Sequence, residues 1–472
     1  RSIRIFASGT LFLTHTLDLQ AHPVPASSVR AHGYRRTRNG SACSVLTVLA
    51  QFRRIGVDGC WLIASLGGNQ EGLEIIRELE RAGVSTRYCR VWDGYGVPAA
   101  WVLHSADSDS QTVINHNPLP DITHDEFIAY LGPLLAPENY PPAPPPVQAE
   151  PNFSPTSPRP SFSAPGPQPK GPHVLAPFDW LHFEGRSVKT TLSNIGGIDG
   201  LARERRWRSQ CVFSVDVGRR ARQGIEALIP YADVLFLNRH YAQAHSPAYA
   251  RTPRAFLLAI ASLAPAHALL VAYWGSDGAA VLSVPTREYY QSSGWVDDTP
   301  VPIPRVPDQL DEVESVRSGS DFWAGRRASG VSSSAFYSAA PTPSPSSGHG
   351  YVSSKAKGKG KARARSRDEE DDDDDDSDAD SQGTEIAGVV DEAGAQDAFV
   401  AGMIYALSRR LLPGAPYSPG LANIAPASLH DGGRWRLDEC LSRFATELAG
   451  RKCRKYGWDG LGEEMERAGW FE

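Results

Sequence analysis

The sequence predicts an α/β fold built on a mainly parallel sheet, and three observations carry the prediction. Short apolar runs at 180–183, 211–215, 234–237 and 269–272 alternate with segments of helical period. Runs that are apolar at every position are those of strands buried on both faces, as in parallel sheets covered by helices. The chain of 472 residues, 41% hydrophobic and 22% charged, has room for one large core or two smaller ones. Its 43 glycines and 37 prolines exceed what one domain carries yet fall short of a collagen-like or wholly disordered composition, so the surplus has to be localised.

Taken in order, 3–7 and 11–14 read as short strands, 44–55 as an amphipathic helix and 61–65 as a strand. A helix follows over 71–82, with Leu73, Ile76 and Leu79 on one face. Residues 101–104 and 112–115 alternate like the arms of a hairpin. The most apolar long stretch, 255–274, has the length of a membrane span, but Ser262, Pro265 and His267 interrupt it. It divides into a helix over 253–263, opened by its proline, and a strand over 268–273. No membrane partner is expected. A final apolar helix over 399–410 follows Gly394, Ala395, Gln396 and Asp397 at once.

The surplus proline sits in two low-complexity inserts. Residues 141–172 hold 13 of the 37 prolines and keep no apolar period. Residues 299–383 are rich in Ser, Pro and Gly, with seven basic residues over 355–367 and then eleven acids over 368–380. Runs of like charge repel themselves and bury nothing. Most of the formal charge of −6 therefore belongs to an insert, and no specific nucleic-acid binding is expected of the protein as a whole. The core then comprises 1–140, 173–298 and 384–472. Six cysteines without a C-x-x-C pair argue against a disulfide scaffold or a structural zinc site and for a reducing compartment. A cytoplasmic location is expected, with nuclear access through the basic run at 355–367. Beginning at Arg1, the chain reads as a fragment, so no targeting signal is inferred.

The segment Gly394 to Asp397 has the character of an anion site. Small residues ahead of a helix let backbone N–H groups converge, and the helix dipole adds partial positive charge. An acid there is more often a cap than a catalyst. The run Val389-Val390-Asp391-Glu392-Ala393-Gly394-Ala395-Gln396-Asp397-Ala398-Phe399 resembles the C-terminal signature of ribokinase-like (PfkB) carbohydrate kinases. Arg38-Asn39-Gly40-Ser41-Ala42 is similar to that family's sugar loop, and Arg81 to Thr86 and Thr112 to Asp121 fit further segments in the same order. Trp180 to Arg186, Ala272 to Gly275, and Ala449 to Cys453 with Gly457 to Gly460 resemble ketohexokinase-like members within it.

The resemblance implies a three-layer α/β/α core with a small β lid near 15–36 and 95–116. The lid would close on substrate and could pair two copies as a homodimer. It implies phosphoryl transfer from ATP to a sugar hydroxyl, with Mg²⁺ and with a monovalent cation at the loop that carries Glu392. Asp397 takes the catalytic-base role, and the amides of Gly394, Ala395, Gln396 and Asp397 form the anion hole. Trp274, Gly275, Ala449, Gly450 and Cys453 fall on the nucleotide side; Arg186 is a phosphate contact. Thr14, Asp18, Asn39, Gly40 and Ser44 fall on the sugar side.

Several positions depart from the pattern. Gln396 replaces a glycine, Glu392 replaces a threonine of the cation loop, and Thr14 stands where an Asp is usual. Asn238 lacks a Glu three residues on, so no metal ligand is assigned. Two other readings follow: a non-catalytic scaffold of the same fold, and a nucleoside kinase.

Overall fold

In the computed structural model the predicted apolar runs lie side by side. The structure describes residues 2–108, 110–140, 175–218, 222–294, 390–410 and 436–471. The two low-complexity segments, 141–172 and 299–383 with its basic run, lie outside the described residues. In chain order the elements are β1 (Ile3–Ser8), β2 (Phe12–Leu19), β3 (Gly33–Asn39), α1 (Ser41–Ala50), β4 (Val57–Ile63), β5 (Ser65–Gly67), α2 (Gln70–Arg81), β6 (Val84–Ser85) and β7 (Arg90–Trp92). Next come β8 (Ala99–Ser105), β9 (Ser110–His116), α3 (His124–Leu135), β10 (Trp180–Glu184), α4 (Val188–Glu204), β11 (Val212–Asp216), β12 (Val234–Asn238), α5 (Arg239–His245) and α6 (Pro253–Ile260). The chain continues with β13 (Leu269–Tyr273), β14 (Ala279–Ser283), β15 (Tyr289–Gln291), α7 (Glu392–Arg410), α8 (Thr446–Cys453) and α9 (Leu461–Arg467).

Among the described residues the main sheet runs β15-β14-β13-β12-β11-β10-β1-β4-β6. It is parallel from β6 to β13, and β14 and β15 close one edge antiparallel. The period of two sorts its side chains. Ile3, Ile5 and Ala7 of β1 and Leu269, Val271 and Tyr273 of β13 enter one core with Val45 and Leu49 of α1 and Phe399 and Met403 of α7. Leu181 and Phe183 of β10 and Leu270 and Ala272 of β13 enter the other with Ile195 and Ile198 of α4 and Phe256 of α6. Each large apolar side chain so buried contributes about 1.5–3 kcal/mol against exposure. The three layers follow from that bilateral burial.

A second sheet, β3-β2-β8-β9, forms the small lid. The hairpin expected from alternation is present, with Trp101 opposite Ile114 and Val102 opposite Val113. The strand expected to be short over 11–14 runs on to Leu19 as β2 because β3 and β8 pair along it, and the one expected over 61–65 divides between β4 and β5.

Three helix expectations are corrected. Helix α1 starts at Ser41, after a glycine at φ +123°, and its last expected turn is a separate 3-10 turn, Arg53–Ile55. In α2 the buried face is Gly72, Ile75 and Leu79, while Leu73 is 40% exposed. Four-residue spacing sets that face, and Asn69 caps the helix through its bond from the Gly72 amide at 2.8 Å. Helix α7 starts at Glu392, so Gly394 to Asp397 form its opening turns and not a loop before it.

Candidate functional site

Strand β1 ends at Ser8 and β10 at Glu184, two neighbours in the parallel sheet, and the amino ends of α1 and α7 converge beside them. The crevice outside the carboxyl ends of the strands is where open α/β sheets bind ligands. The Thr10 amide donates to Glu184 Oε2 at 2.9 Å and Arg186 Nε donates to Glu184 Oε1 at 2.8 Å, so the loops after β1 and β10 are locked together. Gly40 carries the chain from β3 into α1, and a Cβ there would collide with the Thr10 carbonyl. That turn delivers Ser41, whose Oγ donates to Asp397 Oδ1 at 2.9 Å. Asp397 is half-buried.

Of the residues expected on the sugar side, Asn39 and Thr14 meet: Asn39 Nδ2 donates to Thr14 Oγ1 at 2.6 Å. Asp18 lies farther along β2, with Arg35 Nη2 and His104 Nδ1 each 3.3 Å from its Oδ1. It serves the lid's own charge cluster. Ser44 is buried at 2% exposure inside α1.

The opening of α7 is engaged from within. Asp391 Oδ1 accepts from the Gly394 amide at 2.7 Å, and the Asp391 carbonyl accepts from the Ala395 amide at 3.1 Å. Two amides expected to face an anion thus already have acceptors: the Asp391 carboxylate captures the orphan Gly394 N–H three residues on, and the Asp391 carbonyl takes the Ala395 N–H in the first helical i→i−4 bond. Gln396 is buried and Glu392 exposed. Lys452 Nζ bonds Asp391 Oδ2.

On the nucleotide side, Gly275 stands beside the start of α7, near the Glu392 carboxylate. The Trp274 indole is core: it is 5% exposed, packs near Phe256 and donates Nε1–H to the Ala250 carbonyl at 2.9 Å. Ala449, Gly450 and Cys453 are buried in α8, which packs on α7. Burial pushes the Cys453 thiol up to about 11, as befits a small hydrophobe without redox chemistry. All six cysteines are buried. Among the described residues no cluster of three His, Cys, Asp or Glu could hold a metal, and no helix is long and apolar enough to cross a membrane.

Thr10, Glu184, Asp391 and Lys452 received no role from sequence. Asp391 was available as a cap by its spacing from Gly394; a lysine in an otherwise apolar helical face was the signal for Lys452.

This architecture, a helix-covered parallel sheet with a four-stranded lid and a carboxylate at a helix start beside the strand ends, is the ribokinase-like fold. The chain is similar to a ribokinase from Giardia lamblia at 11% identity, with 99% of this chain and 98% of that one covered and a TM-score of 0.55. An Arabidopsis thaliana ribokinase complexed with ribose and ATP covers 62% of this chain and 78% of its own at 12% identity, TM-score 0.43. A Methanocaldococcus jannaschii nucleoside kinase covers 63% and 80% at 14% identity, TM-score 0.39. No protein-family model matches the sequence, and no curated protein matches it.

Proposed function

We propose that this protein transfers the terminal phosphoryl group of ATP to a sugar hydroxyl, with a ketose as the first acceptor class to test. The observation that carries the reading is Asp397, held by Ser41 at the amino end of α7 and beside the strand ends of a ribokinase-like fold. Ser41 orients the Asp397 carboxylate through its Oδ1, and that carboxylate would take the proton of an attacking hydroxyl, a step that needs a carboxylate within hydrogen-bond reach. Thr14 and Asn39 offer a hydroxyl and an amide to the acceptor's hydroxyls. The positive pole of α7, opened by Gly394, Ala395 and Gln396, and the Arg186 guanidinium meet the charge of the transferred group. Gly275 and Gly450 fall on the nucleotide side of this arrangement. Magnesium would arrive on the nucleotide phosphates. Lid closure would exclude water.

The test is ATP consumption and phosphosugar formation over ketoses, pentoses and nucleosides. Asp397→Asn is expected to lower kcat by about 10²–10⁴-fold with an unchanged melting midpoint; equal turnover by the variant removes Asp397 from the reaction. The engaged Gly394 and Ala395 amides favour a second reading, a non-catalytic protein of the same fold. Calorimetry separates the two: no heat with MgATP or any sugar supports the scaffold, whereas micromolar nucleotide binding counts against it.

A further inference from the structure

The resemblance places a monovalent cation at the loop that opens α7, and the residues present do not fit a free one. The Asp391 carboxylate is already shared between the Gly394 amide and the Lys452 ammonium. We infer that Lys452 is a positioning residue whose tethered ammonium takes the place of such an ion. By holding Asp391 it holds the first turn of α7, and with it Asp397. The inference rests on the phosphoryl-transfer reading above.

Lys452 has no exposed surface. Its Nζ reaches Asp391 Oδ2, donates to the Lys455 carbonyl at 3.1 Å and lies 4.5 Å from the centre of the Trp458 ring. A carboxylate, a carbonyl and an aromatic face are the surroundings of a bound cation. Burying an ammonium is costly unless it is paired and hydrogen-bonded, and apolar bulk would fill the same space without that cost. What the charge does here is specific. The Val390 and Asp391 amides donate to the Cys453 carbonyl at 2.7 and 3.1 Å, so the turn before α7 is stitched to the end of α8 through backbone and side chain together. A Cβ at Gly394 would come 2.7 Å from Nζ, which places the ammonium directly against the helix start. Asp397 lies three residues beyond Gly394, on the same face of the helix.

The experiment compares the native chain with Lys452→Met, Lys452→Ala and Asp391→Asn, using MgATP and an acceptor that the native chain turns over. Lys452→Met is expected to lower kcat by about tenfold or more while both KM values change less than about twofold, since misplacing a catalytic group costs rate more than binding. Methylammonium chloride should restore part of the rate of Lys452→Ala, and choline chloride should not. Potassium should leave the native rate unchanged. Amide hydrogen exchange at 394–397 should accelerate in Lys452→Met. Native kcat in Lys452→Met, equal effects of methylammonium and choline, or a lower melting midpoint with unchanged kcat per folded molecule each overturn the role. If Lys452→Met does not fold, Asp391→Asn must show the same kcat-selective loss. If the native chain phosphorylates no acceptor, the phosphoryl-transfer reading fails separately. Exchange then decides: acceleration at Gly394 supports the positioning contact, and unchanged exchange overturns it.

Discussion

His182 sits at the middle of β10 with no exposed surface, its Nδ1 2.9 Å from Ser214 Oγ and its Nε2 without a hydrogen-bond partner. Burial pushes its pKa down from 6.5 to about 3. The unfolded chain takes up a proton near pH 6.5 that the folded chain refuses, so this contribution to stability is complete above pH 6.5. It is lost as pH falls toward 3, at about 1.4 kcal/mol per pH unit. His182→Gln is expected to flatten the acid limb, checked by urea unfolding at pH 7 and pH 4.5; parallel losses in both chains would exclude His182 as the cause. The residue was visible in sequence within an apolar run, but its burial depends on β11 and on Phe236 of β12, whose ring lies 5.9 Å away. The same holds for Asp397. Its chemistry was readable from the residues around it, whereas its partner Ser41 lies 356 positions away and no local pattern joins the two.

At the scale of elements, the joint between β3 and α1 depends on one glycine. Gly40 has φ +123°, a conformation that side chains rarely adopt, and the Thr10 carbonyl blocks a Cβ. Gly40→Ala is expected to cost at least about 2 kcal/mol and to lower kcat as well, because Ser41 moves with the turn. Thermal unfolding and turnover measured together check this; a stable variant with native kcat would show the joint to be tolerant. Element types were readable because burial on both faces leaves continuous apolar runs. Boundaries were not. Whether Leu73 or Ile75 of α2 is buried depends on the rotation of the helix against the sheet, and both spacings suit an amphipathic pattern. The start of α7 depends on Asp391, whose carboxylate gains its hold from a lysine 61 positions away.

Across the whole molecule, the base of the sheet is tied by charge. Arg208, ahead of β11, donates to Asp199 of α4 at 2.6 Å, to Asp233 ahead of β12 at 2.8 Å, and to the Cys211 carbonyl at 3.3 Å. Asp233 has no exposed surface and also accepts from the Phe213 amide at 2.7 Å and meets His267 Nε2 at 3.0 Å. One network therefore joins the amino ends of β11, β12 and β13, at the opposite end of the strands from Glu184. Arg208→Ala leaves buried carboxylates short of their cation and is expected to cost about 3–5 kcal/mol, measured by urea unfolding. A loss under about 1 kcal/mol would mean that His267 alone satisfies Asp233. Being buried, the network should also resist salt screening.

The amino-acid sequence by itself determined the fold class, the strand runs, the two low-complexity segments and the identity of the carboxylate proposed as base, since periodicity, composition and a contiguous motif are local properties. Tertiary structure alone decided which of these residues act together. It placed Ser41 on Asp397, Lys452 on Asp391, Thr14 against Asn39, and Asp18 away in the lid. Those pairings depend on the order and register of strands far apart in the chain, where hydrogen-bond reach of about 3 Å selects partners that spacing cannot.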